Sequence, residues 1–360
     1  MVARLSVLAW RQDAAESTGL ETRRHTAPEG LRLTGLSLCA AERAFGIWGS
    51  NQICVAHSTV HALDRAYTLN WSLMQRILST YLFVSKKLTR ELLGQVRDAG
   101  FQAVEIFATR SHFDYATKTE VQAIAHALAD HRLKLSSLHA PTSRDLSLNR
   151  EGGVPLSVTE VERVRRIEAM DELKRVIDVA EDLQFPRLVL HMGGSREAAD
   201  PRKRDAAFST LEHLTLHARH AGVTICLENT TSEMGEPAYL RSFVDETRLT
   251  GLRFNFDVGH AHLSEGEESE RIARSLEPLK ELVASTHLHD NHGEKDEHLL
   301  PHDGTIDWPP ALKLLGALPT ADLPLTLELK EKTGPEAPTL SEQIAAAAKS
   351  LDRLEKDWEN

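Results

Sequence analysis

The segment RLVLHMGGSREAADPRKRDAAFSTLEHLTLHARHAGVTICLENT, residues 187–230, contains the pattern from which the fold can be predicted. It begins with a short apolar run that ends near His191 and continues as an amphipathic segment of helical length. A second apolar run follows and carries Glu228 at its end. A strand, a helix and a strand in this order form a parallel unit, in which the carboxyl ends of both strands meet at one edge.

The same alternation continues from Met74 to the end of the chain. Eight strand candidates alternate with eight helical segments over about 287 residues, which predicts an α/β fold of the (β/α)8 TIM barrel type. A doubly wound open sheet is the alternative, because alternation alone does not show closure. The strand candidates are RILSTYLF (76–83), AVEIFA (103–108), KLSSLHA (134–140), RLVLHMG (187–193), VTICLENT (223–230), LRFNFDVGH (252–260), VASTHLHD (283–290) and PLTLELK (324–330).

The first part of the chain lacks this periodicity. We therefore predict two parts, an N-terminal extension at residues 1–73 and the barrel at residues 74–360. The extension is expected to be irregular or to form a small helical appendage. Seven basic and six acidic side chains give it a charge of +1, which leaves −12 for the barrel.

Composition restricts the class of protein. The chain has 360 residues, 41% hydrophobic residues and a net charge of −11, which argues against a protein that neutralises many phosphates of DNA. Its three cysteines (Cys39, Cys54 and Cys226) form no CxxC pair, and no apolar run is long enough to span a membrane. We expect a cytoplasmic protein without disulfides or a membrane anchor.

Ionisable residues recur at the carboxyl ends of the predicted strands. In a closed barrel these ends meet at one mouth, where several carboxylates and imidazoles need a divalent cation to offset their repulsion. Each residue alone has an ordinary structural explanation, but strands three to eight all end in this way. The residues are Glu105, His139, His191, Glu228, Asp257, His260, His287 and Glu328.

The seventh strand and the loop after it are unusually rich in histidine. The stretch THLHDNHGEKDEHLLPHDGTIDW, residues 286–308, holds five histidines. His287 is predicted to point into the mouth, and Asp296 and His298 form a D-x-H pair on the loop. His289 shares a strand face with His287, and a substrate contact suits it better than a metal bond.

From Met74 onwards the chain resembles the xylose isomerase-like TIM-barrel superfamily. That group contains sugar phosphate isomerases and epimerases, and also endonuclease IV-type AP endonucleases. The usual Pro-Gly-Glu-Gly of one loop reads PHDG here, at residues 301–304. The resemblance is carried by VEIFATRSHFDY, LSSLHAP, LVLHMGG, CLENT, FDVGHAH, THLHDN, DEHLLPHDGTIDW and LELK.

The resemblance implies a divalent metal (zinc, manganese, magnesium or cobalt), with one ion expected and as many as three. Members that isomerise or epimerise ketoses hold one ion through residues that match Glu228, Asp257, His287 and Glu328. Endonuclease IV-like members hold three zinc ions with the help of five further ligands. Those five match His139, His191, His260, Asp296 and His298.

We expect an enzyme of carbohydrate metabolism, a metal-dependent isomerase or epimerase of a small keto-sugar or sugar phosphate. Glu228 and Glu328 would act as acid and base through an enediolate. Substrate contacts are expected from Glu105, His112, His260 and His289.

Two other functions stay open at this stage. One is phosphodiester hydrolysis at abasic DNA by a zinc cluster, which the full ligand complement favours and the negative charge disfavours. The other is a non-catalytic protein that binds sugar or metal. A homodimer that forms through the barrel helices is a further expectation.

Overall fold

The structure is a computed structural model that describes residues 75–143, 156–194, 197–320 and 322–359. The predicted N-terminal extension, residues 1–73, lies outside the described residues, as does the proposed boundary at Met74.

Eight parallel strands form a closed barrel in which each strand pairs with the next and β8 pairs with β1. The closing register sets Ile77 beside Thr326 and Leu78 beside Leu327. The (β/α)8 barrel is thus confirmed, and the open sheet is excluded. The strands are β1 (Arg76–Ser79), β2 (Ala103–Phe107), β3 (Lys134–His139), β4 (Arg187–His191), β5 (Thr224–Glu228), β6 (Arg253–Asp257), β7 (Val283–Leu288) and β8 (Leu325–Leu327).

Helices follow the strands, and the predicted helical segments are all present. Within the described ranges none is long and apolar enough to cross a bilayer. The helices are α1 (Arg90–Asp98), α2 (Lys118–His131), α3 (Arg163–Asp178), α4 (Pro201–His220), α5 (Pro237–Thr247), α6 (Val258–His262), α7 (Glu268–Leu276), α8 (Trp308–Gly316) and α9 (Leu340–Glu359).

Local sequence explains where these helices begin and end. The hydroxyl of Thr89 accepts a hydrogen bond from the Leu92 N–H at 3.3 Å and caps α1. Gly100 follows the end of α1 with φ +97°, a conformation that side chains disfavour. Asp200 caps α4, and Pro201 occupies its first turn, where a missing N–H costs nothing.

Two of the predicted strand segments continue as helix, and both of these turns shape the mouth. The segment RILSTYLF continues beyond Ser79 as a 3-10 helix, Thr80–Phe83, because the Ser79 hydroxyl caps that turn by accepting from the Tyr81 N–H. The segment LRFNFDVGH turns after Asp257 into the short helix α6. The Asp257 carboxylate accepts the His260 N–H at 2.6 Å, which starts this helix.

The core lies between the barrel and its helices. The strands are buried on both faces, which explains their nearly continuous apolar runs. Val104 and Ile106 on β2 are 0% exposed, as are Leu93 and Val96 on α1. A rigid barrel therefore holds the carboxyl ends of its strands in fixed positions.

Candidate metal centre

The carboxyl ends of the strands bring ionisable side chains to one mouth. Strand register places His191 beside Glu228, and Asp257 beside His287. Glu328 directly follows β8, and its backbone N–H donates to a β7 carbonyl at 3.2 Å. Residues that are far apart in the sequence thus lie at a single rim, as in other barrels of this type.

Glu228, Asp257, His287 and Glu328 form what we call the central group. Each offers one ligand atom, and these atoms all lie within 4.8 Å of one another. The Nδ1 atom of His287 lies 3.2 Å from Glu228 Oε2, 3.4 Å from Glu328 Oε2 and 3.7 Å from Asp257 Oδ2. All four side chains are buried. Three buried carboxylates repel one another unless a cation lies between them.

His139, His191 and Glu228 form a second group, the β3–β5 group. The Nε2 atom of His139 lies 3.6 Å from Glu228 Oε2, and that of His191 lies 3.5 Å from Glu228 Oε1. Glu228 belongs to both this group and the central group. Its Oε2 lies near His139 and His287 and its Oε1 near His191, so this carboxylate is available to both groups.

His260, His289, Asp296 and His298 form a third group, the loop group. Asp296 Oδ2 lies 3.2 Å from His298 Nε2 and 3.3 Å from His260 Nε2. His289 stacks on His298 with ring centroids 4.0 Å apart, and its Nε2 lies 3.1 Å from Asp257 Oδ1. His289, expected at the substrate, is 0% exposed and connects the loop group to the central group.

Glu105 lies behind the central group and is 0% exposed. Its Oε2 accepts a hydrogen bond from the Nε2–H of His287 at 3.1 Å and another from the Ser137 hydroxyl at 2.8 Å. This contact leaves Nδ1 of His287 facing the three carboxylates. The geometry suits a residue that orients a metal ligand, rather than the substrate contact expected from the sequence.

Three further imidazoles are oriented by backbone carbonyls. In each ring the Nδ1–H donates to a carbonyl at 2.9–3.0 Å, which leaves Nε2 directed towards the centre. The pairs are His139 with Ala140, His260 with Asn229, and His298 with Glu328.

Electrostatics at the mouth favour added positive charge. Burial alone would raise the pKa of the Glu228 carboxyl, but neighbouring imidazoles, His287 foremost, hold it well below its ordinary value. Burial alone would lower the pKa of His287, but Glu105, Glu328 and Glu228 raise it well above its ordinary value. At His139, His260 and His298 burial likewise would lower the pKa, but nearby carboxylates raise it above the ordinary value, most strongly at His260.

Buried ligand atoms without hydrogen-bond partners provide a test of whether a metal fits. Among the described residues, Glu228 Oε1, His287 Nδ1 and His289 Nδ1 have no partner. Such buried atoms are costly, and a divalent cation is a partner that nitrogen and oxygen can share. The mixed nitrogen and oxygen ligands fit zinc, manganese or cobalt better than magnesium, which prefers oxygen. The residues fit cations at as many as three positions.

Asp290 anchors the loop that brings Asp296 and His298 into the centre. It is 0% exposed, and the sequence analysis assigned it no role beyond its place at the end of the predicted strand VASTHLHD. Its carboxylate collects four hydrogen bonds at 2.8–3.2 Å, so the loop is closed around one side chain. The donors are the backbone N–H groups of Asn291, His302 and Ile306 and the indole N–H of Trp308.

His112 lies outside the three groups. Its Nε2 lies 3.0 Å from the Thr80 hydroxyl, and its Nδ1 contacts the Lys86 carbonyl. Burial lowers the pKa of His112 to about 4, although the contact with Lys86 opposes this change. The structure therefore does not bring this predicted substrate contact to the metal centre.

Two cavities open beside the centre. One of about 1230 Å³ reaches His260, and one of about 510 Å³ reaches His191. Among the described lining residues, carboxylates outnumber lysines and arginines in both cavities, which disfavours a polyanion such as DNA. The charged lining residues are Glu233, Glu236, Glu265, Glu277, Arg241 and Arg274 in the larger cavity, and Glu160, Glu197 and Lys203 in the smaller.

Comparison with known sequences places this geometry in context. MJ1311, an uncharacterized protein of Methanocaldococcus jannaschii, is 27% identical over 245 residues, which span 66% of this chain and 78% of that protein. A probable endonuclease 4 of Natronomonas pharaonis is 27% identical over 192 residues, which span 48% of this chain and 66% of that protein.

Solved structures share the fold. A D-tagatose 3-epimerase-like protein superposes with a TM-score of 0.63 at 22% identity, covering 79% of this chain and 97% of its own. The zinc-bound IOLI protein gives 0.61 at 17% identity, covering 79% and 99%. A magnesium complex of a xylose isomerase-like TIM barrel protein from Mycobacterium smegmatis gives 0.59 at 16% identity, covering 80% and 98%. At such identities the likeness establishes the fold alone.

The family is established by a profile rather than by any one relative. The profile of the xylose isomerase-like TIM barrel matches residues 93–356, which is most of the chain and nearly all of the barrel. The resemblance read from the sequence motifs is thereby confirmed. The chain belongs to the xylose isomerase-like TIM barrel family.

Proposed function

We propose that the protein is a metal-dependent isomerase or epimerase of a small keto-sugar or its phosphate. The observation that carries this proposal is the pair of buried glutamates in the central group, Glu228 and Glu328. Both carboxylates lie within 3.4 Å of the same nitrogen of His287. Burial would raise the pKa of both carboxyls, but nearby imidazoles, His287 foremost, hold it below the ordinary value. Both are therefore ionised and able to accept a proton.

The two glutamates provide the proton transfers of such a reaction. A divalent ion in the central group would polarise the sugar carbonyl and make the neighbouring C–H acidic. One glutamate removes that proton, the C–H electron pair forms the carbon–carbon double bond, and the carbonyl π pair moves to its oxygen, which gives an enediolate. A proton returned to the opposite face gives the epimer, and a proton returned to the adjacent carbon gives the isomer.

Other side chains would contribute to substrate binding. His260 is 9% exposed and borders the larger cavity, so it can hold a substrate hydroxyl in addition to its place in the loop group. Glu105 would act through His287. The acidic linings of both cavities favour a small sugar over a nucleic acid. The D-tagatose 3-epimerase-like neighbour and the metal-bound neighbours support the same class.

A second candidate is phosphodiester hydrolysis with up to three metal ions. It is favoured by the β3–β5 group and the loop group, which adjoin the central group and are not needed for proton transfer. Clustered ions activate water and stabilise a leaving oxygen. The similarity to a probable endonuclease 4 points the same way.

Deuterium incorporation separates the two candidates. We expect the protein, loaded in turn with zinc, manganese, cobalt or magnesium, to exchange deuterium from heavy water into a ketose at carbon next to the carbonyl. Nuclear magnetic resonance of a panel of free and phosphorylated ketoses measures this exchange. Cleavage of abasic DNA without exchange into any sugar of the panel would replace the first candidate by the second.

Substitution of Glu328 tests the assignment of the base. Glu328→Gln keeps the size of the side chain and should lower exchange by about 10²- to 10⁴-fold, the usual contribution of a general acid or base. Glu331→Gln is the matched control, because Glu331 pairs with Lys86 outside the three groups. Equal exchange in both variants would remove Glu328 from the mechanism. Circular dichroism checks that both variants are folded.

Metal content provides an independent measurement. One tightly held ion per chain is expected if only the central group is needed, and about three zinc ions favour the hydrolase. Inductively coupled plasma mass spectrometry of the purified protein gives this number directly. Pairing of two copies through the barrel helices stays a prediction, which light scattering can test.

A further inference from the structure

A second polar cavity lies at the opposite end of the barrel from the metal centre. It has a volume of about 530 Å³ and is formed where β4, β5 and β6 begin and where α4 ends. Three arginines line it: Arg187 is the first residue of β4, Arg253 is the first residue of β6, and Arg219 lies in the last turn of α4. No role in the proposed reaction involves this end of the barrel.

The three guanidinium groups are not neutralised by acidic side chains. In the part of the chain that the structure describes, none of them forms an ion pair with Asp or Glu. One nitrogen of Arg253 donates to the carbonyls of Thr250 and Leu252 at 3.1 and 2.8 Å. Arg187 and Arg219 donate no side-chain hydrogen bond to any described residue. The cavity therefore holds an excess of positive charge in a chain whose net charge is −11.

Arg76 on the first strand shows how an arginine at this end of the barrel can be neutralised by acidic side chains. Arg76 begins β1 as Arg187 begins β4, and it donates to Asp352 and lies 3.8 Å from Glu355, both on α9. Arg187 has no equivalent acidic partner among the residues that the structure describes, although it is partly buried. Burial lowers its pKa, and the nearby Cys226 only partly opposes this change. An unpaired, partly buried charge is costly, which indicates a missing anionic partner.

The lining offers further groups to an anion. Thr215 lines the cavity, and its buried hydroxyl, which has no hydrogen-bond partner among the described residues, would have to rotate to reach an anion there. Gly222 has φ +74°, and a Cβ built on it would meet nothing within 4 Å, so the space beside it is open. The position of Arg219 has an ordinary explanation, because the helix dipole favours a cation in the last turn of α4. Arg187 and Arg253 lie on strands and have no such explanation.

We propose that this cavity binds the phosphoryl group of a small anion, either inorganic phosphate or a phosphorylated metabolite. Guanidinium groups match the geometry of phosphate oxygens, and three of them provide more than the charge of one dianion. A cavity of about 530 Å³ falls in the range of small-molecule sites. Because it lies across the barrel from the metal centre, its occupant is an effector or a stabilising ligand and not the substrate.

Direct location of the anion is the first test. Crystals of the full chain soaked with tungstate, a heavy analogue of phosphate, should show an anomalous peak among Arg187, Arg219 and Arg253. A tungstate peak at the metal centre with none in this cavity would overturn the proposal. Density in the cavity of the unsoaked protein would support it.

Affinity in solution is the second test. Calorimetry with inorganic phosphate and with ribose 5-phosphate should show about tenfold weaker binding to Arg219→Gln and about a hundredfold weaker binding to Arg187→Gln/Arg219→Gln. The control is Arg202→Gln, an exposed arginine of α4 that pairs with Asp200. Equal affinities in all variants would assign the binding to the metal centre and overturn the proposal.

The affinities of the two probes distinguish the two sources of the phosphoryl group. Tighter binding of ribose 5-phosphate than of phosphate identifies a metabolite as the ligand, and equal binding identifies the free ion. Arg219 lies at the exposed end of a helix, so Arg219→Gln decides the outcome if the double variant does not fold. Deuterium exchange into ketoses should be unchanged in Arg219→Gln, so failure of this proposal is distinguishable from failure of the proposed function.

Discussion

At the carboxyl end of the barrel five carboxylates and six imidazoles face one another, whereas at the amino end three guanidinium groups line one cavity. The helices run antiparallel to the strands, so their positive N-termini lie near the first end and their negative C-termini near the second. These dipoles favour anionic side chains at the mouth and cations opposite. At the mouth the carboxylates are balanced by imidazoles and by any cation that binds there, whereas the three guanidinium groups at the amino end have no acidic partner among the described residues.

We therefore expect cations to bind at the mouth and an anion to bind at the amino end. Of the changes at the mouth, Glu228→Gln should have the largest effect on metal binding and proton exchange. The amide loses the charge that the central group and the β3–β5 group share. We expect proton exchange to fall by up to about 10⁴-fold, and the ion of the central group to be lost together with any ion held by the β3–β5 group. Mass spectrometry of bound metals and deuterium exchange measure the two effects.

Phosphate binding at the arginine cavity is the internal control for that variant. It should be unchanged in Glu228→Gln, because the cavity lies at the other end of the barrel. Retention of all metal ions together with full exchange would show that the mouth does not need this shared carboxylate. The comparison between the ends would then fail.

Removal of metal ions should have the next largest effect. A ligand present at about a thousand times its dissociation constant stabilises the folded state by about 4 kcal/mol. We expect a chelator to lower the free energy of unfolding by a similar amount, as measured by urea denaturation. An unchanged urea midpoint after complete metal removal would contradict a cation between these carboxylates.

The same experiment has a predictable dependence on pH. In the metal-free protein the raised pKa of His287 adds stability below its ordinary value of 6.5, which is lost as the pH rises through the folded-state pKa. The lowered pKa of Glu228 adds stability above its ordinary value of 4.5, which is lost as the pH falls. The metal-free protein should therefore be most stable between these two values.

Metal ions and protons compete for the same imidazole nitrogens. The difference in melting temperature between zinc-loaded and metal-free protein should therefore be larger at about pH 8 than at about pH 6. Calorimetric scans of both forms at the two pH values measure it. A difference that shrinks as the pH rises would mean that protonated imidazoles, rather than cations, balance the carboxylates.

Glu105→Gln should have an intermediate effect that separates positioning from direct ligation. The amide weakens the contact that orients His287, and loss of such a contact costs about 10- to 100-fold in metal affinity. Glu172→Gln is the matched control, since Glu172 is also buried but pairs with Arg110 on the outside of the barrel. Competition with a fluorescent zinc chelator measures both variants.

A loss of stability without a loss of metal affinity in Glu105→Gln would make Glu105 a structural residue. The control should lose stability only, because its carboxylate has no contact with the three groups. The two variants together distinguish an effect on His287 from the general cost of changing a buried carboxylate.

The barrel, and the strand ends at which ionisable residues lie, could be predicted from the sequence because both depend on local patterns. Apolar runs that end in His191, Glu228 or His287 define strands and their carboxyl ends together. The division into three groups depends on register across neighbouring strands, which one sequence does not contain. Asp290 and the arginine cavity escaped prediction for the same reason, since their meaning depends on which groups lie nearby in space.

Trp308→Phe should have the smallest effect and should be confined to one group. The substitution keeps an aromatic ring in the core and removes the N–H that donates to Asp290 at 2.9 Å. A hydrogen bond to a charged group contributes about 1.5 to 3 kcal/mol, part of which stabilises the loop that carries Asp296 and His298. We expect metal affinity to fall by about tenfold at the loop group alone.

Spectroscopy with cobalt can resolve that effect, since ions in different groups have different ligands and absorb differently. Trp358→Phe is the control, because Trp358 packs against Gly316 on α8. Equal weakening of all cobalt sites in Trp308→Phe would show that the loop is not an independent part of the mouth. Weakening of the loop group alone would show that one buried carboxylate, Asp290, determines how many cations the carboxyl end can hold.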